Sequence, residues 1–179
     1  MKTSLTPKNG INSSRITPNK GKEVIVYTDG GTRNTGNVKG GHVKTTDLAA
    51  WAYLIEWDDH SVYGTGGEYG ATNNKMEQTA VIEALKKLLA LDFADKKIRL
   101  VLDSQYVVNA INQHWLSGWK KRGWRRSSGS LANAEEWQEI DHLLSQFSDY
   151  QFEWTRGHNG DAGNEFVDST LNQYMDQEM

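Results

Sequence analysis

The chain has 179 residues, with 20 lysines and arginines against 23 aspartates and glutamates for a formal net charge of −3, a length that fits one domain with or without a tail. At 37% hydrophobic residues, seven tryptophans among them, it holds enough apolar material for a core, and the absence of cysteine excludes disulfide scaffolds, thiolate metal sites and cysteine nucleophiles and fits a reducing, cytoplasmic setting. No apolar run approaches the roughly 20 residues that span a bilayer and the amino terminus lacks a hydrophobic signal core, so we expect a soluble protein with no membrane association.

Residues 1–22 contain both prolines, five basic residues (Lys2, Lys8, Arg15, Lys20 and Lys22) and no acid, and are expected to form a disordered basic tail; an organellar transit peptide, usually richer in arginine, is the rival reading. From Glu23 onward 15 basic residues face 23 acidic ones, a net of −8, so any basic surface on the folded part must be local. Val24-Ile25-Val26-Tyr27, closed by Asp29-Gly30-Gly31, reads as a buried strand ending in a turn. Ala49 to Trp57 and Ser61 to Tyr69 form a hairpin about Asp58-Asp59-His60, and these first three strands are expected to be antiparallel. From Asn73 to Leu91, Met76, Ala80, Val81, Ala84, Leu85 and Leu88 recur at spacings of three and four, the stripe of an amphipathic helix. Lys97 to Leu102 gives a fourth strand that feeds a helix through Tyr106, Val107, Ala110 and Ile111. After a tryptophan-rich basic segment, Trp137, Ile140, Leu143, Leu144 and Phe147 mark another helix, Tyr150 to Thr155 a fifth strand, and Phe166, Val167, Thr170, Leu171 and Tyr174 a last helix. The fold class is α/β, one mixed sheet flanked by helices.

Asp29 and Asp103 each follow an apolar strand, where a lone aspartate ordinarily starts a turn or caps a helix. Glu77 shares a helical face with Val81, Ala84 and Leu88, which puts a carboxylate inside an apolar stripe and demands a partner, either a core-facing cation or something else. Asp168 sits at the margin of the last helix's apolar stripe. Should these four converge, their repulsion would protonate some of them unless a cation intervenes. Mg²⁺ is the hard cation such oxygens suit, with Mn²⁺ a substitute, and two ions roughly 4 Å apart can hold the attacking water and the leaving oxygen of a phosphodiester together. His158, in Arg156-Gly157-His158-Asn159-Gly160, follows a strand and is either a proton shuttle or an ordinary surface histidine. Between Trp119 and Arg126 lie five cationic residues and no acid, including Lys120, Lys121 and Arg122, interleaved with Trp124. Such a stretch attracts phosphate and offers flat rings to sugar or base, the alternative being a solvated loop whose tryptophans are pinned in the core.

Together, Tyr27-Thr28-Asp29-Gly30, Thr72-Asn73-Asn74-Lys75-Met76-Glu77, Asp103-Ser104-Gln105-Tyr106, Gly118-Trp119-Lys120-Lys121-Arg122-Gly123-Trp124 and Gly157-His158, with Asp168 ten residues on, resemble the type 1 ribonuclease H family over about Lys22 to Tyr174. The resemblance implies a ribonuclease H-like, five-stranded mixed sheet and a catalytic metal site made of Asp29, Glu77, Asp103 and Asp168. It also implies that His158 assists proton transfer or product departure, and that the substrate is the RNA strand of an RNA·DNA hybrid, cut to 5′-phosphate and 3′-hydroxyl ends. By the same resemblance Asn73, Asn74 and Gln105 contact the minor groove, whose 2′-hydroxyls mark RNA. The resemblance likewise implies that Asn164 lies close to the active site and that the basic segment from Trp119 to Arg126 is a handle for the DNA strand. Helix capping is the alternative role for these amide residues, one that Asn73 could serve in addition to its groove contact. The domain is expected to run from 23 to 175, with 176–179 a short tail, and to work as a monomer with no obligate protein partner, since no heptad seam or long apolar edge demands one.

One segment departs from the family pattern: Gly30 to Leu48 is long, free of proline, and carries Lys39, His42 and Lys44, which leaves open whether Asn34 or Asn37 contacts RNA. Two other functions fit parts of the pattern. A hybrid-binding module without catalysis would keep the basic tryptophan segment, and a transposase-like nuclease would cut DNA duplexes.

Overall fold

The computed structural model describes residues 8–11, 23–33, 46–126, 129–156 and 161–178. Its main sheet has the strand order β1 (Lys8–Ile11), β4 (His60–Tyr69), β3 (Leu48–Trp57), β2 (Glu23–Thr32), β5 (Lys97–Leu102), β8 (Asp149–Trp154). The strands β2, β3 and β4 are antiparallel, while β5 and β8 run parallel to β2. These five make up the mixed sheet expected of the fold.

β3 is apolar at nearly every position because both its faces are covered. Ala49, Trp51, Tyr53 and Ile55 belong to the core beneath α1 (Asn73–Ala90), with α2 (Gln105–Asn112), α3 (Trp115–Lys121) and α4 (Ala134–Leu144) on the same side. Leu48, Ala50, Ala52 and Leu54 instead meet Val167, Leu171, Tyr174 and Met175 of α5 (Ala162–Glu178). The result is three layers, helices on either side of one sheet. Trp57 and His60 flank a two-residue turn in which Asp58 adopts φ 49°, the conformation that aspartate tolerates better than most residues.

Four features differ from the sequence expectation. First, Lys8–Ile11, within the segment expected to be a disordered tail, add to the edge of β4 as an antiparallel strand; an edge pairing draws on backbone hydrogen bonds and so leaves little trace in hydropathy. The rest of residues 1–22 lies outside the described residues. Second, Asp29-Gly30-Gly31 do not end their strand, for β2 continues to Thr32 opposite Ala49. Third, α5 extends through Glu178 and takes in most of the expected short tail. Fourth, the tryptophan-rich basic segment contains a helix, α3, followed by a small ribbon of β6 (Arg125–Arg126) and β7 (Gly129–Ser130). Among the described residues no helix is long and apolar enough to cross a membrane.

Candidate active site

The parallel pairing of β2 with β5 sets Thr28 beside Leu102, and the next residue along the chain in each case is an aspartate, Asp29 still within β2 and Asp103 just past β5. Leu102 ends β5, and Ser104 caps α2 by accepting a hydrogen bond from Val107 N at 3.3 Å, so Asp103 occupies the turn between strand and helix. Thr72 caps α1 in the same way, its hydroxyl accepting from Lys75 N at 3.2 Å. The capping role open to Asn73 therefore falls to Thr72.

Glu77, in the second turn of α1, reaches the sheet because the helix comes unusually close to β2. A Cβ at Gly30 would lie 2.3 Å from the carbonyl carbon of Met76 and 2.4 Å from the nitrogen of Glu77, so only glycine allows the approach. The Gly30 N–H donates to Glu77 Oε1 and to Asp29 Oδ1. On the opposite face Gly163 does the same for α5, whose first turn lies against the Tyr27 ring, a Cβ there meeting ring carbons at 2.3–2.4 Å. Asp161 caps that turn by accepting from Gly163 N at 3.0 Å and Asn164 N at 3.2 Å.

Asp29, Glu77 and Asp103 each offer a carboxylate oxygen, all within 4.8 Å of one another. Asp29 is 6% exposed and Glu77 8%. Among the described residues no lysine or arginine forms an ion pair with any of the three, so the core-facing cation that Glu77 might have found is not among them, and the three carboxyls repel one another. Burial, and then the nearby Asp103, push the Asp29 carboxyl from 3.8 up to about 8. Burial and the neighbouring aspartates hold Glu77 well above its ordinary range, and Asp103 is raised as well, again chiefly by burial. Asp168, half-buried on α5, adds repulsion on both Asp29 and Asp103 but stands outside the tight triad. An all-oxygen set of partly desolvated, mutually repelling carboxyls is what a hard divalent cation fits.

This frustration has a measurable signature. Folded Asp29 keeps, up to about pH 8, a proton that the unfolded chain releases near 3.8. The folded state therefore binds more protons across that window, and the metal-free protein should lose stability as pH rises through it. Thermal melts in a chelator should fall from pH 5 to pH 8, added Mg²⁺ should recover the loss at pH 8, and Asp29→Asn should flatten the profile.

The other residues singled out in the sequence fall in three groups. Asn73, Asn74 and Gln105 are exposed on the first turns of α1 and α2, beside the triad; Asn73 Oδ1 accepts from Thr32 N at 2.8 Å, tying the helix to the end of β2. Asn164 is 3% exposed at the start of α5, and its Oδ1 has no hydrogen-bond partner among the described residues. In the basic segment Trp119 is buried against Trp137, with ring centroids 5.4 Å apart, so its ring packs against the core. Lys121 and Arg122 are exposed, Trp124 is half-buried, and Lys120 pairs with Asp141 at 3.0 Å. His158, Asn34 and Asn37 lie outside the described residues. Beyond them Arg33 ties the end of the β2 segment to α5, donating to Asn172 O at 3.1 Å and pairing with Asp176 at 2.6 Å. The sequence reading missed Gly30 as the residue that admits α1, although a second signal, a carboxylate in an apolar stripe, already pointed to the helix it admits.

The RNase H family profile matches residues 21–175. A ribonuclease H of Polynucleobacter asymbioticus is 38% identical over 161 residues, covering 89% of this chain and 94% of the relative. Among solved structures, LC9-RNase H1, described as a type 1 RNase H with the type 2 active-site motif, superposes with a TM-score of 0.73 at 24% identity over 91% of this chain and 76% of that one. The foamy viral protease-reverse transcriptase in complex with an RNA/DNA hybrid gives 0.69 at 18% identity, over 89% of this chain and 22% of that one.

Proposed function

Because the chain belongs to the ribonuclease H family and is thereby a ribonuclease H enzyme, we propose that it hydrolyses the RNA strand of RNA·DNA hybrids in a Mg²⁺-dependent reaction that leaves 5′-phosphate and 3′-hydroxyl ends. The observation that carries the proposal is the convergence of Asp29, Glu77 and Asp103 within 4.8 Å, without an opposing basic side chain among the described residues. These three, with Asp168 at the margin, would hold two divalent ions, which supply a more acidic water and charge neutralisation at the leaving oxygen.

The protein's own groups do the rest. In the reaction an oxygen of water bonds to phosphorus, the bond from phosphorus to the 3′ oxygen breaks, and that oxygen takes up a proton. Gly30 N–H donates to Glu77 Oε1 and orients its carboxylate, and the turn between β5 and α2 carries Asp103. Asn73, Asn74 and Gln105 present amides where a minor groove would lie, able both to donate to and accept from 2′-hydroxyls. We assign His158 to proton transfer or product departure, Asn164 to the same end of the site, and a monomeric, cytoplasmic state to the enzyme.

Lys121 and Arg122, exposed in the basic segment, would hold the DNA strand. Replacing either by alanine should weaken hybrid binding alike for all sequences and lower the slope of log affinity against log salt by about 1, read from binding isotherms at several salt concentrations. The proposal as a whole is tested with a labelled hybrid in competition with RNA·RNA and DNA·DNA duplexes, with Mg²⁺ and with chelator. Selective, metal-dependent cutting of the hybrid supports it. Binding without fragments would make the protein a non-catalytic hybrid-binding module, and preferential cutting of DNA duplexes would assign it to another nuclease class.

A further inference from the structure

β8 ends beside the metal-site turn. Trp154 is in register with Leu102, the Thr155 N–H donates to Leu102 O at 2.7 Å, and the Trp154 indole N–H donates to the carbonyl of Asp103 at 3.1 Å. The indole is 42% exposed, more than Trp115 or Tyr150, so burial of its ring is a weak reason for a tryptophan here. Its polar contact is the stronger one. The peptide after Asp103 belongs neither to the β5 ladder, which ends at Leu102, nor to the helical bonds of α2, which begin at the Ser104 cap. A carbonyl in that position is free to rotate unless something holds it, and rotation would swing the Asp103 carboxylate relative to Asp29 and Glu77.

We propose that Trp154 is a positioning residue for the metal site: its indole N–H fixes the Asp103 peptide so that the carboxylate stays within reach of a cation shared with Asp29 and Glu77. This rests on the proposed metal site. It acts from the outer shell, as groups that orient metal ligands do, and makes no claim on the substrate.

Two variants separate the hydrogen bond from the ring. Trp154→Phe keeps an aromatic ring and removes the donor; replacing the indole by its sulfur isostere, benzothiophene, keeps the shape and removes only the N–H. Calorimetric titration with Mg²⁺ alone, together with kcat and KM on a hybrid, gives the readout. Loss of one such bond should weaken Mg²⁺ binding by about three- to tenfold and lower kcat at limiting Mg²⁺ while KM for the hybrid stays unchanged. Mg²⁺ affinity within twofold of wild type in the sulfur isostere overturns the proposal. So does a raised KM at unchanged Mg²⁺ affinity, which would make the ring a hybrid contact. If the wild-type protein neither binds Mg²⁺ nor cuts the hybrid, the function itself fails; if it does both and the isostere matches it, only the role of Trp154 does.

Discussion

Asp103→Asn should reduce hybrid cleavage in Mg²⁺ by roughly a thousandfold or more, because a cation that stabilises transition-state charge by several kcal/mol loses one of its ligands, and each 1.4 kcal/mol is tenfold in rate. The same substitution removes a negative charge that raises the pKa of both Asp29 and Glu77. The metal-free variant should therefore melt at the same temperature as wild type or higher, and keep its circular dichroism spectrum. Activity and stability moving in opposite directions is the pattern that identifies a functional carboxylate, since a structural one would take both down together. Undiminished cleavage would remove Asp103 from the site.

The second large effect is expected at Gly30. In Gly30→Ala the new methyl group would sit 2.3 Å from the Met76 carbonyl carbon and 2.4 Å from the Glu77 nitrogen, and both are backbone atoms that no rotamer change can move aside. Helix α1 must retreat from β2. We expect a loss of about 3 kcal/mol, at the upper end for overpacking, seen as a fall in melting temperature of roughly 6–12 °C for a domain of this size. Cleavage should fall further than stability predicts, because the retreat carries Glu77 away from Asp29 and Asp103. A variant with wild-type melting and wild-type kcat would show that the close approach does not set the site.

Much of this arrangement is legible in the residues alone, and where it is not the cause is physical. Glu77 stands out because an uncompensated carboxylate in a helical stripe is costly unless something meets it, and Asp103 because a sharply bounded run, Lys97 to Leu102, ends just before it. Gly30 and Gly31 mislead. Two glycines after an aspartate are a turn signal locally, but pairing with Ala50 and Trp51 and the pressure of α1 on the backbone hold them extended, a tertiary effect that no local pattern records. The edge strand Lys8–Ile11 is hidden for a different reason, its partner being a backbone ladder some fifty residues away. In the basic segment the charges are conspicuous and the helix beneath them is not. Leu116 and Trp119, three residues apart, are its buried face, and that spacing was open to reading before the charges drew attention.

The enclosure of β3 on both faces has a consequence for how the molecule opens. Its amides lie between two registered neighbours and beneath helices from either side, so no local fluctuation admits solvent to them. Deuterium uptake along Ala50 to Ile55 would then track rupture of the entire fold, whereas the rim strands report only fraying.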